Sequence, residues 1–548
     1  MTEAPWLRNY PGGLPSHITP EYGSVLDAFD AHIAENPDRD AIAYFDGAIT
    51  YRELDDRACA LAAALSTRGF GPGDRLALYL QNDPAFVVGL LAAWRARAVA
   101  VPVNPMNKAR EVTYLLQDSG AAAVLTLDGL YHSVLREVVG SGSTAVRQVF
   151  VASALDDQTR NDRRVLPATA AAITGPDVVL LSTVYARFAG QACASAPTDP
   201  ASPAVLTYTS GTTGVPKGAI NTHRGLAFAG QIYREWMGLG SDDVILGIAP
   251  LFHITGLVGH VCAALVSGCR LVLVHRFEGS VVLDAIREHR PTFTVGAITA
   301  FTNLAGAEGA TKEDFASLRA VYSGGAPIAP ELRERIRDRI GIVIHNIYGM
   351  TETTSPAHAV PLGVATPVDP GTGALSIGLP VFNTRARILD DDGTVLPPGK
   401  LGELAISGPQ VVPGYWNKPV DTADRITGGE IRTGDVGLMD AEGWFYLVDR
   451  KSDVIIASGY KVWPREVEDV LLGHPAVREA AVVGVPDEYR GQTVRAVVSL
   501  RAGAAVTDGE LIAFCRDRLA AYKCPRAVEF VGELPKNAAG KVLRRGLR

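Results

Sequence analysis

The sequence predicts an α/β protein in two parts. A large N-terminal domain has mostly parallel α/β layers with an antiparallel β subdomain near its end, and a small α+β domain follows. Three observations predict this. The middle third alternates apolar strand-like runs with helical runs, the signature of βαβ units. After about Ser376 the pattern changes to strand pairs joined by tight turns, as at Asp392-Gly393 and Glu442-Gly443. From Lys451 a fresh helix-and-strand unit begins, so the boundary is placed near Arg450, giving domains 1–450 and 451–548.

The elements follow in order. The most apolar long run, residues 86–103, carries Arg95 and Arg97 in its middle and is too short and too charged for a clean membrane span. It reads as a buried helix running into a strand. "DVILGIAP" (243–250), "RLVLVH" (270–275), "PTFTVGAI" (291–298) and "IVIHNIYG" (342–349) read as strands. Between them lie helical runs, one closed by Gly268, one over "SVVLDAIREHR" (280–290), and an amphipathic one at 330–341 with Leu332, Ile336 and Ile340 on one face. Residues 156–200 are the least legible stretch.

Composition bounds the function. The 548 residues suffice for three or four cores of about 150 residues each. With 47% hydrophobic and 20% charged residues the chain is globular, and a net charge of -7 gives no global field for nucleic acid. The N-terminus lacks the basic-then-apolar layout of a secretory signal. Six scattered cysteines without CxxC or metal spacing predict free thiols in a reducing cytoplasm.

Chemistry first shows in "YTSGTTGVPKG" (208–218), which follows an apolar strand. Glycine backbone N–H groups can converge on phosphate oxygens, hydroxyls of Thr209, Ser210, Thr212 and Thr213 add donors, and Lys217 adds a point charge. The plain alternative is a polar surface loop, but hydroxyls this dense after a strand favour phosphate binding. It is not a Walker P-loop, because Pro216 precedes Lys217 and Gly218 follows it.

Four further motifs occur in order: "YSGGAP" (322–327), "NIYGMTET" (346–353), "RTGD" with "DR" (432–435, 449–450) and "PKNAAGKVLRR" (535–545). With the hydroxyl loop they resemble the adenylate-forming superfamily of acyl-CoA synthetases, luciferases and peptide-synthetase adenylation domains, over nearly the whole chain. "HNIYGMTETTSP" and "VDRKSDVIIASGYKVWPREVE" are most similar to bacterial fatty-acid–CoA ligases.

The resemblance implies ATP, Mg²⁺ and coenzyme A as co-substrates and cofactor, acting on a small carboxylic acid. ATP would be held by Thr209, Ser210, Gly211, Thr212, Thr213, Gly214 and Lys217, by Gly324, Gly325, Ala326 and Pro327, by Asn346, Tyr348, Gly349, Met350 and Thr351, and by Asp435 and Arg450. Glu352 offers a hard carboxylate ligand for Mg²⁺, and Asp435 can accept both ribose hydroxyls. Lys541 would be the catalytic lysine, offsetting repulsion between substrate carboxylate and α-phosphate, with His253, Thr351 and Glu352 beside it. Phe252, His253, Gly256, Gly296 and Ala297 would line the acyl pocket, where His253 could equally be a buried, satisfied histidine. Ser458, Gly459, Tyr460 and Lys461 would face the coenzyme A arm. The small domain would then be mobile, turning about Lys451 and Ser452 between the two half-reactions. Many relatives carry Lys or Asp where Ser452 stands, and Gly546 replaces an expected glutamate.

The resulting expectation is a cytoplasmic monomer or homodimer that activates a medium- or long-chain fatty acid as acyl-AMP and transfers it to coenzyme A. Alternatives are an aromatic or other biosynthetic acid, a carrier-protein or non-thiol acceptor, and, more distantly, a non-catalytic nucleotide-binding homologue. The last sits badly with an intact set of Lys217, Glu352, Asp435 and Lys541.

Overall fold

The computed structural model describes residues 4–173, 178–193, 198–209, 215–326, 328–451, 453–457, 460–487, 491–536 and 542–547. Three sheets organise them. In the largest, the strands Asp40–Tyr44, Arg270–Leu273, Val244–Leu246, Phe293–Gly296, Ala320–Ser323 and Ile344–Met350 run parallel. From Ile344–Met350 the same sheet continues antiparallel through Ser355–Ala359, Ser376–Pro380, Phe445–Arg450, Glu430–Met439, Gly402–Ser407 and Arg385–Leu389. The antiparallel subdomain is therefore the continuation of the parallel sheet rather than a separate layer.

The second sheet stacks Val178–Leu180, Gln148–Ala152, Ala123–Leu127, Arg75–Tyr79, Val99–Val103 and Pro203–Tyr208 in parallel, with Gly218–Thr222 antiparallel at its edge. Between the two sheets lies the main core, where Phe86, Trp94, Phe228, Tyr233 and Phe293 are buried. The third sheet begins at Ile455–Ala457, beyond Arg450, and its long hairpin Val477–Asp487 and Gly491–Leu500 packs against the helices Pro464–Leu472 and Asp508–Arg516.

Local chemistry explains the elements. The apolar run becomes the buried helix Pro84–Arg95, capped by Asp83, followed by the strand Val99–Val103. Arg95 is tolerated there because it pairs with Asp30 and Asp55. Gly268 does end its helix in the left-handed region, at φ 70°. Between Ile254–Gly256 and Ala263–Ser267 that helix widens into a π turn, Leu257–Cys262. The expected strand 243–250 shortens to Val244–Leu246. There the Asn82 amide takes over as partner, donating to the carbonyls of Gly247 and Ala249 and accepting from Leu251 N–H, so the chain can turn away from the sheet.

The expectation of six free thiols is corrected at one pair. Cys59, on the helix Tyr51–Ser66, and Cys193 are joined in a disulfide across a sequence separation of 134, with Cα atoms 5.2 Å apart. Spacing in the sequence could not reveal that approach. Cys262, Cys269, Cys515 and Cys524 are buried free thiols. Among the described residues no helix is long and apolar enough to cross a membrane.

Candidate active site

In an open α/β sheet, ligands collect beyond the carboxyl ends of the strands. Three predicted motifs leave the sheets at such ends: residue 209 follows Pro203–Tyr208, residue 324 follows Ala320–Ser323, and residue 351 follows Ile344–Met350.

The two ends of the hydroxyl loop are clasped together. Thr209 N–H donates to the Lys217 carbonyl at 2.9 Å, and Tyr114 Oη donates to the Pro216 carbonyl at 2.8 Å. Lys217 forms an ion pair with Asp421, and its Nζ lies 5.7 Å from the centroid of the Tyr415 ring. Ser210, Gly211, Thr212, Thr213 and Gly214 fall outside the described residues.

A cleft of about 860 Å³ opens between the large sheet and the C-terminal part of the chain. Gly325, Ala326, Asn346, Tyr348, Gly349, Met350, Asp435 and Arg450 line it from one side, and Arg465, Lys536, Val542 and Arg544 from the other. Asn346 donates its amide N–H to the Ser376 carbonyl at 2.8 Å. Its buried Oδ1 has no partner among the described residues, leaving an acceptor of the kind an amino group of a bound base would satisfy. Asp435 is gripped twice, by Tyr348 Oη at 2.7 Å and by Arg450 Nε at 3.3 Å. Burial and the Asp435 charge push the Tyr348 phenol well above its ordinary range, so it stays a donor. Strand register fixes the group, since Asp435 stands opposite Arg450.

Two glycines are sterically required here. A Cβ on Gly349 would lie 1.5 Å from the Ser355 carbonyl oxygen, and one on Gly324 would lie 2.5 Å from that of Ile347. Close backbone approach is what lets the strand Ile344–Met350 double back as Ser355–Ala359.

Thr351–Thr353 forms a single 3₁₀ turn, after which Thr354 and Ser355 hold φ of 48° and 79°. Asn221 pins the turn, its amide donating to the Thr351 carbonyl at 3.2 Å and to Thr354 Oγ1 at 3.1 Å. Glu352 is 5% exposed, and Tyr415 Oη donates to its Oε1 at 2.6 Å. Among the described residues Glu352 has no cationic partner and no three acidic, His or Cys groups converge. A metal here would therefore take one carboxylate plus oxygens of a bound phosphate, a set that fits Mg²⁺.

Phe252 and His253 are half-buried and Gly256 is buried. His253 Nδ1 accepts the Thr255 N–H at 3.3 Å and caps the turn Ile254–Gly256, so its position has a structural use too. Gly296 ends its strand and Ala297 caps the helix Ile298–Gly306.

Lys541, Ser452, Ser458, Gly459 and Pro327 lie outside the described residues; of Tyr460 and Lys461 only the strand backbone, Tyr460–Val462, is described. Lys536 and Val542, which flank residues 537–541, pair with each other on the cleft wall. Lys451 Nζ reaches Asp391 at 2.7 Å.

Contacts that the sequence motifs did not specify complete the site. Asp449 turns away from Asp435 toward Arg544 at 3.5 Å and accepts the Arg465 N–H at 2.9 Å. Burial raises its carboxyl to about 6 despite that arginine. Arg544 also makes a two-pronged contact with Glu468, at 2.7 and 2.9 Å. Tyr415 and Asn221 likewise touch the site only through the fold. Tyr415 stands in a Gly-Tyr-Trp run between the strands Gly402–Ser407 and Glu430–Met439, and nothing in that run points to Glu352.

The chain belongs to the AMP-binding enzyme family, whose description matches residues 29–416, with the C-terminal domain of AMP-binding enzymes matched at residues 466–541. Within it, the chain is an AMP-forming acyl-CoA ligase, as the motif order implied. It is 34% identical over 558 aligned residues to a long-chain-fatty-acid–CoA ligase of Bacillus subtilis (strain 168), covering 100% of this chain and 98% of that protein. It is 35% identical to a feruloyl-CoA synthase of Amycolatopsis sp, covering 94% of this chain and 96% of that one. The fold matches the crystal structure of a benzoate CoA ligase from Burkholderia xenovorans LB400 with a TM-score of 0.83 and 29% identity, over 96% of this chain and 99% of that one.

Proposed function

We propose that this ligase activates a medium- or long-chain fatty acid. ATP and the acid give acyl-AMP and pyrophosphate, and the thiol of coenzyme A then displaces AMP. The observation that carries the adenylation step is the cleft itself, lined both by Asn346 and by a doubly held Asp435. Asn346 accepts the adenine amino group and Asp435 the ribose hydroxyls. The hydroxyl loop and Lys217 hold the phosphates, and Thr351 donates to the α-phosphate. Mg²⁺, bound through Glu352, would supply charge neutralisation on the phosphates. Lys541 offsets the repulsion of two anions as they meet, and its ammonium needs no proton transfer to do so. His253 stands near the acid carboxylate, with Phe252, Gly256, Gly296 and Ala297 as walls.

We also place the domain boundary near Arg450, the hinge at Lys451 and Ser452, and coenzyme A along Ser458, Gly459, Tyr460 and Lys461. A cytoplasmic location is part of the same proposal, since ATP and coenzyme A are available there. The fatty-acid reading is supported by full-length similarity to several long-chain-fatty-acid–CoA ligases. An aromatic acid is the second reading, favoured by an equally high identity to a feruloyl-CoA synthase. Acyl-CoA products formed from an equimolar mixture of C6 to C18 fatty acids, benzoate and ferulate decide between them. Fatty acyl-CoA dominating the mass spectrum supports the first; aryl-CoA alone overturns it.

A further inference from the structure

Tyr415 lies 63 residues beyond Glu352, in a loop that the fold lays across the site. Its backbone neighbours fix that loop. Ile220 N–H donates to the Gly414 carbonyl, Trp416 N–H to the Gly218 carbonyl and Val412 N–H to the Glu352 carbonyl, at 3.0, 2.8 and 2.9 Å. The loop is thus tied both to the strand leaving the hydroxyl loop and to the turn that carries Glu352. From that position the Tyr415 hydroxyl donates to Glu352 Oε1 at 2.6 Å, while the Lys217 ammonium lies 5.7 Å from the ring centroid. The buried ring thus meets both charges, the Lys217 ammonium over its face and the Glu352 carboxylate at its hydroxyl. Lys217 also pairs with Asp421.

We infer that Tyr415 is a positioning residue for the adenylation step: it occupies one oxygen of Glu352, aims the other at the metal, and keeps Lys217 and Glu352 from pairing with each other. The inference rests on the reading of Glu352 as the Mg²⁺ ligand. Its physical basis is simple. A carboxylate with two equivalent oxygens binds a hard cation best when one oxygen is already fixed by a donor, because the remaining lone pairs then have a single orientation. Without the ring, Lys217 and Glu352 could collapse into an ion pair. Both groups that MgATP requires would then be consumed.

The two roles separate by substitution. Tyr415→Phe keeps the ring and removes the donor; Tyr415→Ala removes both. Mn²⁺ binding to full-length protein with a non-hydrolysable ATP analogue, followed by electron paramagnetic resonance, reads the metal directly. Calorimetry with the same analogue in EDTA reads the nucleotide alone. For Tyr415→Phe we expect Mn²⁺ affinity to fall roughly 10- to 100-fold, the usual effect of losing a partner behind a ligand. Analogue affinity in EDTA should be unchanged, and excess Mg²⁺ should restore kcat for acid-dependent pyrophosphate release. Tyr415→Ala should weaken analogue binding in EDTA as well, because Lys217 is captured. Unchanged Mn²⁺ affinity in Tyr415→Phe, or an equal loss with and without metal, overturns the inference. Wild-type protein that binds Mn²⁺ no better with the analogue than alone overturns the Mg²⁺ reading, and this inference with it. A Glu352→Gln protein that retains wild-type Mn²⁺ affinity does the same.

Discussion

In the proposed mechanism the chemistry concentrates at Lys541, whose role would separate the two half-reactions. A cation that offsets repulsion between carboxylate and α-phosphate matters while acyl-AMP forms, and is no longer needed when a neutral thiol displaces AMP. Lys541→Ala should therefore lose adenylation by roughly 10²- to 10³-fold, the scale of removing one preorganised electrostatic donor. Thioester formation from supplied acyl-AMP should stay near wild type. Single-turnover assays of each half-reaction check this, and equal losses in both with the fold intact would reassign Lys541. At this scale the sequence was most legible. Asp435, Tyr348, Asn346 and Arg450, scattered over about a hundred positions, come together in one cleft because each sits in a short motif with its own backbone demand. Partners without a motif were not legible. Nothing near Tyr415 says that its hydroxyl meets Glu352, and "DR" reads as a ribose pair although only Arg450 turns to Asp435 while Asp449 turns to Arg544.

At the scale of elements, the tight reversal after Ile344–Met350 is the part on which the site most depends. Gly349 lets that strand lie against Ser355–Ala359, and a methyl group there would overlap the Ser355 carbonyl. Gly349→Ala should cost about 3 kcal/mol or more, at the upper end of overpacking effects, because the obstacle is backbone rather than a flexible side chain. Denaturant unfolding and ATP-analogue binding on one preparation test it, and a loss of under 1 kcal/mol would mean that the reversal is softer than it looks. Most strands and helices were legible from periodicity, such as the helix Pro330–Ile340 with Ile336 and Ile340 buried. Periodicity failed where a side chain substitutes for the ladder, as Asn82 does beside Gly247. It also failed where elements are too short to show a period, as in Val178–Leu180 and Ile455–Ala457. The Cys59–Cys193 pair was out of reach for a different reason, since only the packed fold brings those positions together.

For the whole molecule, burial of histidines sets the acid limit of stability. Desolvation lowers His223 and His345 to about 4 and His260 and His358 to about 3. The unfolded chain binds protons at these positions below about pH 6.5 while the native protein does not, so stability present at pH 7 is lost as pH falls through that value. By pH 5 each contributes about 2 kcal/mol of destabilisation. Asp449, raised to about 6, acts in the opposite sense, since the native state takes up its proton before the unfolded chain does. Burial raises Asp55, Asp156, Asp157 and Asp469 in the same sense as Asp449 and lowers His289 in the sense of the other imidazoles, which titrate near pH 6.5 in the unfolded chain and decide the change between pH 6.5 and 5. Tm should fall steeply between pH 6.5 and 5, and His358→Gln, at a ring with neither nitrogen partnered among the described residues, should flatten that slope. A flat Tm over this range would contradict the account.

In the proposed reaction the two large sheets and the C-terminal part serve two meetings in turn, the acid with ATP to form acyl-AMP and then acyl-AMP with the coenzyme A thiol. The measurement that tests this most directly is acid-dependent exchange of labelled pyrophosphate into ATP, run with and without coenzyme A. Exchange is expected with acid and ATP alone and to be abolished in Lys541→Ala, with acyl-CoA and stoichiometric AMP formed once coenzyme A is added. Exchange that requires coenzyme A from the start, or release of ADP and phosphate in place of AMP and pyrophosphate, would contradict it.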